Sequence, residues 1–566
     1  MHKRRTTSIQ QVSETSTRLR PTGSILVFAL VLVWIFGTLS TAGLTRSSTD
    51  LTASQLFTTH RQVFFAAESA LDGATAQIRT SLTTYGTFPD VTAIQMLSCA
   101  RCTYDSTVSH VAYLEQNPIN EVIPAGQQYA GFLAQTKHVD ITVRVVSASN
   151  PSVTETVREV VAVRMIPLFQ YAIFDDGDLD LMPGQHMIIN GPIFSNGRLG
   201  LQPEATLEIN GTVGAAGDIV HGWDPAHADV LIQDANGIQR PMKNFDAMGN
   251  WNGTWLQSTD PTWSTDSQAR WGGTVSAHQT KRLLPLPKGV VARDLVEVGD
   301  PVTDSQALLN SRYIYKAGLK IVDGVATDRN GMVVPLGGAV ASKVFYDARE
   351  QKTVCATEID VSQLMARGVA PQNGILYVGD HLNACAGGVR AVRLVNAGDL
   401  PAGGLTVVTH HPVYVQGNYN TVNNPLLQKS AAIIADAVTA LSAEWTDANS
   451  LPGVGSPRVA GTSMTVNASV MAGQARDLRQ PGNRKPSEHM IRFLEDWASN
   501  NLQLQFSFTG SEVALWDSKE VSSSLYAPDE SSVYSPPIRV WTFNRNALTP
   551  PGTLFFYSTA SVSWNN

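Results

Sequence analysis

The residues best suited to chemistry in this sequence are four cysteines, an alternating run of aspartates and one adjacent pair of histidines. Cys99-Ala-Arg-Cys102 has the spacing of a redox dithiol or of half a zinc site. No second Cys-x-x-Cys or paired histidine completes four ligands, and Leu97-Ser98 is a poor strand for a thioredoxin-like turn. Two structural disulfides, Cys99 with Cys102 and Cys355 with Cys385, are therefore expected in an oxidising compartment. Asp176, Asp178 and Asp180 alternate, so on a strand they would share one face and offer oxygens to a calcium ion. A calcium loop wants six to eight oxygens, and the glycine and bidentate glutamate of an EF-hand are missing here, so a solvated strand edge is the plainer reading. His410-His411 could ligate a metal, but neighbours on a strand point to opposite faces; one half-buried and one exposed histidine are expected. No Gly-x-Ser-x-Gly elbow, His-Glu-x-x-His, P-loop or dinucleotide fingerprint occurs. Parallel β-helices can carry catalytic acids far apart in sequence. No acid pair stands out here, so neither an enzymatic reaction nor a cofactor is expected.

The element that must place everything else is the run from Ser24 to Gly43, which carries no charge. About 20 helical residues span about 30 Å, the hydrocarbon thickness of a bilayer. Lys3, Arg4, Arg5, Arg18 and Arg20 precede it against the single acid Glu14, which puts the N-terminus in the cytoplasm and the bulk of the chain outside. Three readings compete: a permanent anchor, a signal peptide cut after Ser40-Thr41-Ala42, or a basic leader ending at Gly23 and cut before Ser24. Beyond the run, Leu56, Val63, Phe64, Ala67, Ala70, Leu71, Ala74, Ile78 and Leu82 recur at helical spacing. No proline interrupts Ser24 to Thr87, so one long helix is expected, and an ordinary signal peptide does not run on into such a helix.

Arg61-Gln-Val-Phe-Phe-Ala-Ala-Glu-Ser-Ala-Leu71 resembles the Gln-Ala-Phe-x-Ala-Ala-Glu-Ala-Ala-Leu segment after the hydrophobic run in PilX-like minor pilins. Later segments also look like large PilX-like proteins: Gly404-Leu-Thr-Val-Val-Thr-His-His-Pro-Val-Tyr-Val-Gln-Gly-Asn-Tyr-Asn420, Ala431 to Leu441 with Trp445, Ile491 to Trp497, and Phe508-Thr-Gly-Ser511. The resemblance implies a type IV pilin-like subunit cut by a prepilin peptidase between Gly23 and Ser24. Its partners would be other pilins, the assembly machinery and the inner membrane, through Ser24 to Gly43, before display on the pilus or cell surface. Phe28, Leu56, Val63, Phe64, Ala67, Glu68, Leu71 and Ile78 are then the expected filament-packing residues. Counting from Ser24, the fifth residue is Phe28 where most pilins carry glutamate. PilX-like proteins and the K-type minor pseudopilin of type II secretion also lack that acid, which favours a minor, tip-located subunit. The competing function is a tethered or secreted carbohydrate-active or carbohydrate-binding β-helix.

The 566 residues exceed one compact core. Net charge is only −7 with 16% charged residues, and 44 glycines and 29 prolines suit exposed β-structure with many turns. No basic patch with interleaved aromatics lies beyond Arg20, which argues against direct nucleic-acid binding. The expected fold class is α+β, mostly β. A leader (1–23) and a long helix (24–85) lead into a small pilin-like head (86–168), with a hairpin of Val139–Val146 and Thr154–Met165. Short strands punctuated by Asn-Gly over 169–222 and again over 373–427 suggest a β-solenoid, with an irregular β-sandwich of Asn-Gly hairpins as the alternative, interrupted by a loop-rich, Trp-rich insertion (223–372). Over 428–566, Ala431–Leu441 reads as a buried helix and Glu488–Asn500 as an amphipathic one, before a β tail from Gln503 that caps the solenoid.

Overall fold

The computed structural model describes residues 24–565 apart from 97–98, 100, 125, 128, 222–227, 283, 285, 288, 382–384, 386, 423–427, 451–457, 476–489, 499–503, 522–534 and 545–548. The fold is α+β and mostly β: one long helix, a helix-covered antiparallel sheet and a stack of mostly parallel strands. The helix, Ser24–Tyr85, has 62 residues, about 90 Å at about 1.5 Å per residue. It ends at Gly86, whose left-handed φ of +66° a side chain would resist and whose N–H bonds Leu82 O at 3.0 Å.

Val63, Ala67, Ala70, Leu71, Ala74, Ile78 and Leu82 form one buried helical stripe. They pack on Val139, Ile141, Val143, Val145, Val157, Val161 and Val163 of two long antiparallel strands, Leu133–Ser147 and Thr154–Pro167. Alanines on the helix and β-branched valines on the sheet suit this contact: the first bring the backbones close, the second fill a pleated face. Cys102–Tyr104, His110–Tyr113 and Ile119–Val122 pair along the outer edge of Leu133–Ser147. The opposite edge belongs to the C-terminal strand Phe555–Asn565, which runs antiparallel to Thr154–Pro167. The tail expected to cap the repeats thus completes the head sheet, where the long strand would otherwise leave an open edge.

Between those two strands lies the stack. Successive strands enter three sheets in turn: Ile173–Asp175, Leu179–Leu181 and Met187–Asn190, then Ile193–Ser195, Leu199–Leu201 and Leu207–Ile209. Ile173 pairs with Ile193 and Ile193 with Val213, a step of 20 residues per rung. Leu179, Leu199 and Ile219 stack likewise in a second sheet, and all six are buried. This is the arrangement of a parallel β-solenoid. The longest sheet has a spatial order unlike its chain order. It starts with Leu319–Val322, passes through Ile375–Gly379, Leu405–Thr409, Ala431–Ala435, Ser469–Gln474 and Glu512–Asp517, and then continues into Ile173–Asp175 and on to Val275–Ser276. The earliest rungs therefore sit on the latest ones, and residues 277–318 link the two ends. Antiparallel strands close the sheets: Gln239–Pro241 on Val230–Gln233, Val325–Asp328 on Leu319–Val322, and Val340–Asp347 on Lys352–Asp360.

Three expectations fail in this region. Part of 223–372 is no insertion, because Val230–Gln233, Val275–Ser276, Leu319–Val322 and Lys352–Asp360 extend the sheets and Trp271 is buried in their core. Ala431–Leu441 is two strands, Ala431–Ala435 and Val438–Leu441, broken at Asp436. A run buried on both faces shows no periodicity, so its alanines read as helix. Around 490–498, Ile491–Phe493 is also a strand, with the charged Arg492 side chain fully buried.

Candidate functional site

The long helix changes character along its length. From Ile25 to Phe57 its large apolar side chains, among them Ile25, Phe28, Trp34, Phe36, Leu44 and Leu51, are exposed, Phe28 at 70%. Among the described residues this is the one helix long and apolar enough to cross a membrane. The threonines farther along it look polar in sequence, yet their hydroxyls are satisfied within the helix. Thr41 Oγ donates to Gly37 O at 2.9 Å, Thr45 to Thr41 O at 2.7 Å and Thr52 to Ser48 O at 2.7 Å. Such back-bonding lowers the cost of placing them in apolar surroundings.

At Arg61 the environment switches. The guanidinium lies 5.7 Å from the rings of both Phe57 and Phe65, and His60 Nδ1 meets Glu155 Oε1 at 2.9 Å. Farther on, Arg79 Nε donates to Thr559 Oγ1 at 3.0 Å, tying the helix to the C-terminal strand. Of the residues expected to pack in a filament, Val63, Ala67, Leu71 and Ile78 are instead buried against the chain's own sheet, so they offer no surface to a neighbour. Phe64 and Glu68 are half-buried; Phe28 and Leu56 remain exposed. Gly23 lies outside the described residues, and Ser24 opens the helix.

The other expected sites are dispersed. Cys99 is bonded to Cys102, beside the edge strand Cys102–Tyr104, and Cys355 to Cys385, across rungs of the stack. Asp176, Asp178 and Asp180 do not share a strand face. The chain bends between Asp175 and Leu179, and each acid has a partner one rung on. Asn196 Nδ2 donates to Asp176 at 2.7 Å, Arg198 N donates to Asp178 at 2.7 Å, and Arg198 Nη2 pairs with the buried Asp180 at 2.7 Å.

The histidine pair is arranged differently from its expected strand geometry. His410 and His411 lie at a corner just past the strand Leu405–Thr409, so their rings fall on the same side, with centroids 3.9 Å apart. Ile375 pairs with Thr406 and Val378 with Thr409, so Asp380 stands at the same corner one rung away. Its Oδ2 lies 3.2 Å from His411 Nε2 and accepts from Arg390 Nε at 2.8 Å. Burial, with His411 alongside, pushes His410 down to about 4. Burial works to raise Asp380, but the hydrogen bond and charge of His411, together with Arg390, outweigh it and hold the carboxyl at about 2. Asp380 escaped sequence reasoning. Aligning the ends of Ile375-Leu-Tyr-Val-Gly-Asp380 and Leu405-Thr-Val-Val-Thr-His410 was the available signal.

A separate polar groove of about 480 Å³ is lined by Glu358, Arg393, Asn396, Gln416, Trp445 and Asp447. Arg393 spans it, pairing with Glu358 at 2.6 Å and Asp447 at 2.5 Å.

No protein-family model and no curated protein matches the chain. Among solved structures it is similar to the crystal structure of the competence-associated pilin ComZ from Thermus thermophilus. The identity is 12%, the match covers 89% of this chain and 97% of that one, and the TM-score is 0.26. A score that low does not establish a shared fold.

Proposed function

We propose that this chain is a type IV pilin-like structural subunit of the minor, PilX-like kind. The observation that carries the reading is the switch in burial along one unbroken helix: exposed from Ile25 to Phe57 and free of charge as far as Thr45, then clamped to an antiparallel sheet from Val63 to Leu82. A half-covered helix needs a second apolar environment for its free half. A bilayer supplies one before assembly, and the helices of neighbouring subunits supply another in a filament. The basic leader orients the N-terminus inward, a prepilin peptidase cuts after Gly23, and the β-rich part is carried outside for assembly initiation, adhesion or docking. Phe28 in place of the usual acid avoids burying an unpaired carboxylate among those helices.

The reading assigns the chain no reaction. A carbohydrate-active β-helix would need free acids flanking a sugar, and Glu358 and Asp447 in the groove are both bound to Arg393. Mass spectrometry of the mature N-terminus tests the proposal. A methylated Ser24 is expected; a start at Gly43 means secretion, and an uncut Met1 means a simple anchor. Unchanged processing after Gly23→Leu would overturn it.

A further inference from the structure

We propose that Asp380, His410 and His411 form a binding site for one divalent transition-metal ion of the zinc class. One donor atom from each of the three lies within 4.8 Å of the other two. The set is two imidazoles and a carboxylate, nitrogen-rich and thus suited to zinc and its neighbours, whereas calcium and magnesium prefer all-oxygen shells.

The corner is built as a ligand set rather than as a closed hydrogen-bond network. The Nδ1 atoms of His410 and His411 are both buried without a hydrogen-bond partner, and His411 as a whole is 7% exposed. A buried polar atom left unpaired is costly and calls for an explanation. The His411 ring is held through Nε2 on Asp380 Oδ2, and the His410 backbone is fixed by Arg293 Nη2, which donates to its carbonyl at 2.8 Å. Arg390 holds Asp380 through Oδ2 and fixes its rotamer, as the outer partners of metal-bound carboxylates do.

There is also room. His411, Asp380 and Arg390 line a cavity of about 230 Å³ that can hold the waters completing a coordination shell. Beside His410 stands Gly379, where an added Cβ would lie 3.1 Å from Nδ1. The space next to that nitrogen is kept clear. The two disulfides remove thiols as competing ligands. A bound ion would join Ile375–Gly379 to Leu405–Thr409 at their shared corner and staple adjacent rungs.

The test uses the untagged full chain in detergent, stripped with a chelator, exposed to zinc chloride and desalted. One zinc per chain by elemental mass spectrometry and an upward shift of Tm are expected, with no shift from calcium or magnesium. His410→Gln/His411→Gln should lose both the zinc and the shift. Asp323→Asn, which removes an acid bonded to His381 at 2.7 Å, should keep both. X-ray absorption of the zinc-loaded wild type, which needs no variant, should show two imidazoles. A chain that retains no zinc, a double variant that keeps it, or a zinc shell without imidazole would each overturn the assignment.

Discussion

The helix-covered head and the stack both bury apolar surface, but they differ in how much charge they bury with it. In the head, valines and alanines fill the space between helix and sheet, and most charge pairs reach solvent on at least one side: Arg158 with Asp140, His60 with Glu155, Arg144 with Asp105; Arg164, paired with Glu121, is the buried exception among the arginines. In the stack, charges go inside. Arg492 is fully buried beside Glu350 and Asp347. Asp436 is fully buried too, accepting from Arg293, Ser518 and the Lys519 and Glu520 amides. A strand pair turns back through solvent, whereas a rung must turn three times within the pile. Each turn leaves backbone and side-chain polar groups that need a partner inside. The head is held almost wholly by apolar area, whereas the stack adds buried charge pairs to an apolar core of its own.

Substitutions should separate the two regimes. The largest effect is expected from Arg492→Ala, which leaves Asp347 and Glu350 as uncompensated buried charges and should cost about 3–5 kcal/mol in denaturant unfolding. Arg158→Ala, in the half-exposed rim pair of the head, should cost no more than about 1 kcal/mol. If the two cost the same, the contrast is wrong. Next come the disulfides. Cys355–Cys385 closes a sequence separation of 30 residues and Cys99–Cys102 one of 3. Chain entropy alone predicts losses of about 3–4 and about 1.5 kcal/mol for the respective double serine variants.

Within the helix, Ile78→Ala should cost about 2–5 kcal/mol, while Phe28→Ala should stay within about 0.5 kcal/mol of wild type in detergent. Heat or urea scans read both, and a large Phe28 effect would mean the free half is covered in the isolated chain. The smallest effect is acid sensitivity. Burial pushes His410 and His221 each down to about 4. Unfolded, each takes a proton below about 6.5, so in that window the unfolded state binds more protons. In metal-free protein, stability should fall as pH drops from about 6.5 to about 4, by at most about 1.4 kcal/mol per pH unit for each histidine, and stay flat just above. His410→Gln should flatten the slope measured from urea midpoints; an unchanged slope would remove His410 from the cause.

The same division governs how much was legible in the sequence. The helix and the hairpin Val139–Val146 with Thr154–Met165 announce themselves, because one face of each is buried and the period shows. The rungs at 173–220 show through their Asn-Gly punctuation. The 20-residue step itself has one sequence marker, Asn190 and Asn210, which sit one rung apart with Asn210 Nδ2 donating to Asn190 Oδ1 at 2.8 Å. Later rungs step by other lengths, 31 residues from Ile375 to Thr406 and 37 from Ala432 to Ser469, which hides the repeat. Ala431–Leu441 and Ile491–Phe493 are buried on both faces and so carry no period. Asp380 and His411 meet only through rung stacking, which no local pattern reveals. The burial of Val63 and Ile78 by the chain's own sheet could not be told from burial by a neighbour, because an amphipathic stripe does not say what covers it.

Thr154–Pro167 leads into Ile173–Asp175, and Ile538–Thr542 leads towards Phe555–Asn565; both crossings leave the middle of the stack, where its latest and earliest rungs meet. Tension applied along the helix therefore reaches the β-rich part through two strands side by side rather than through one terminus. Those strands, Thr154–Pro167 and Phe555–Asn565, are bonded to each other over most of their length, so the load is shared in shear and no rung is peeled from an end. Pulled at Ser24 in a force-extension measurement, the stack should stay folded until that strand pair slides, whereas pulling on the loop at Asp323-Gly324, at one tip of the pile, should unstack rungs one at a time at lower force.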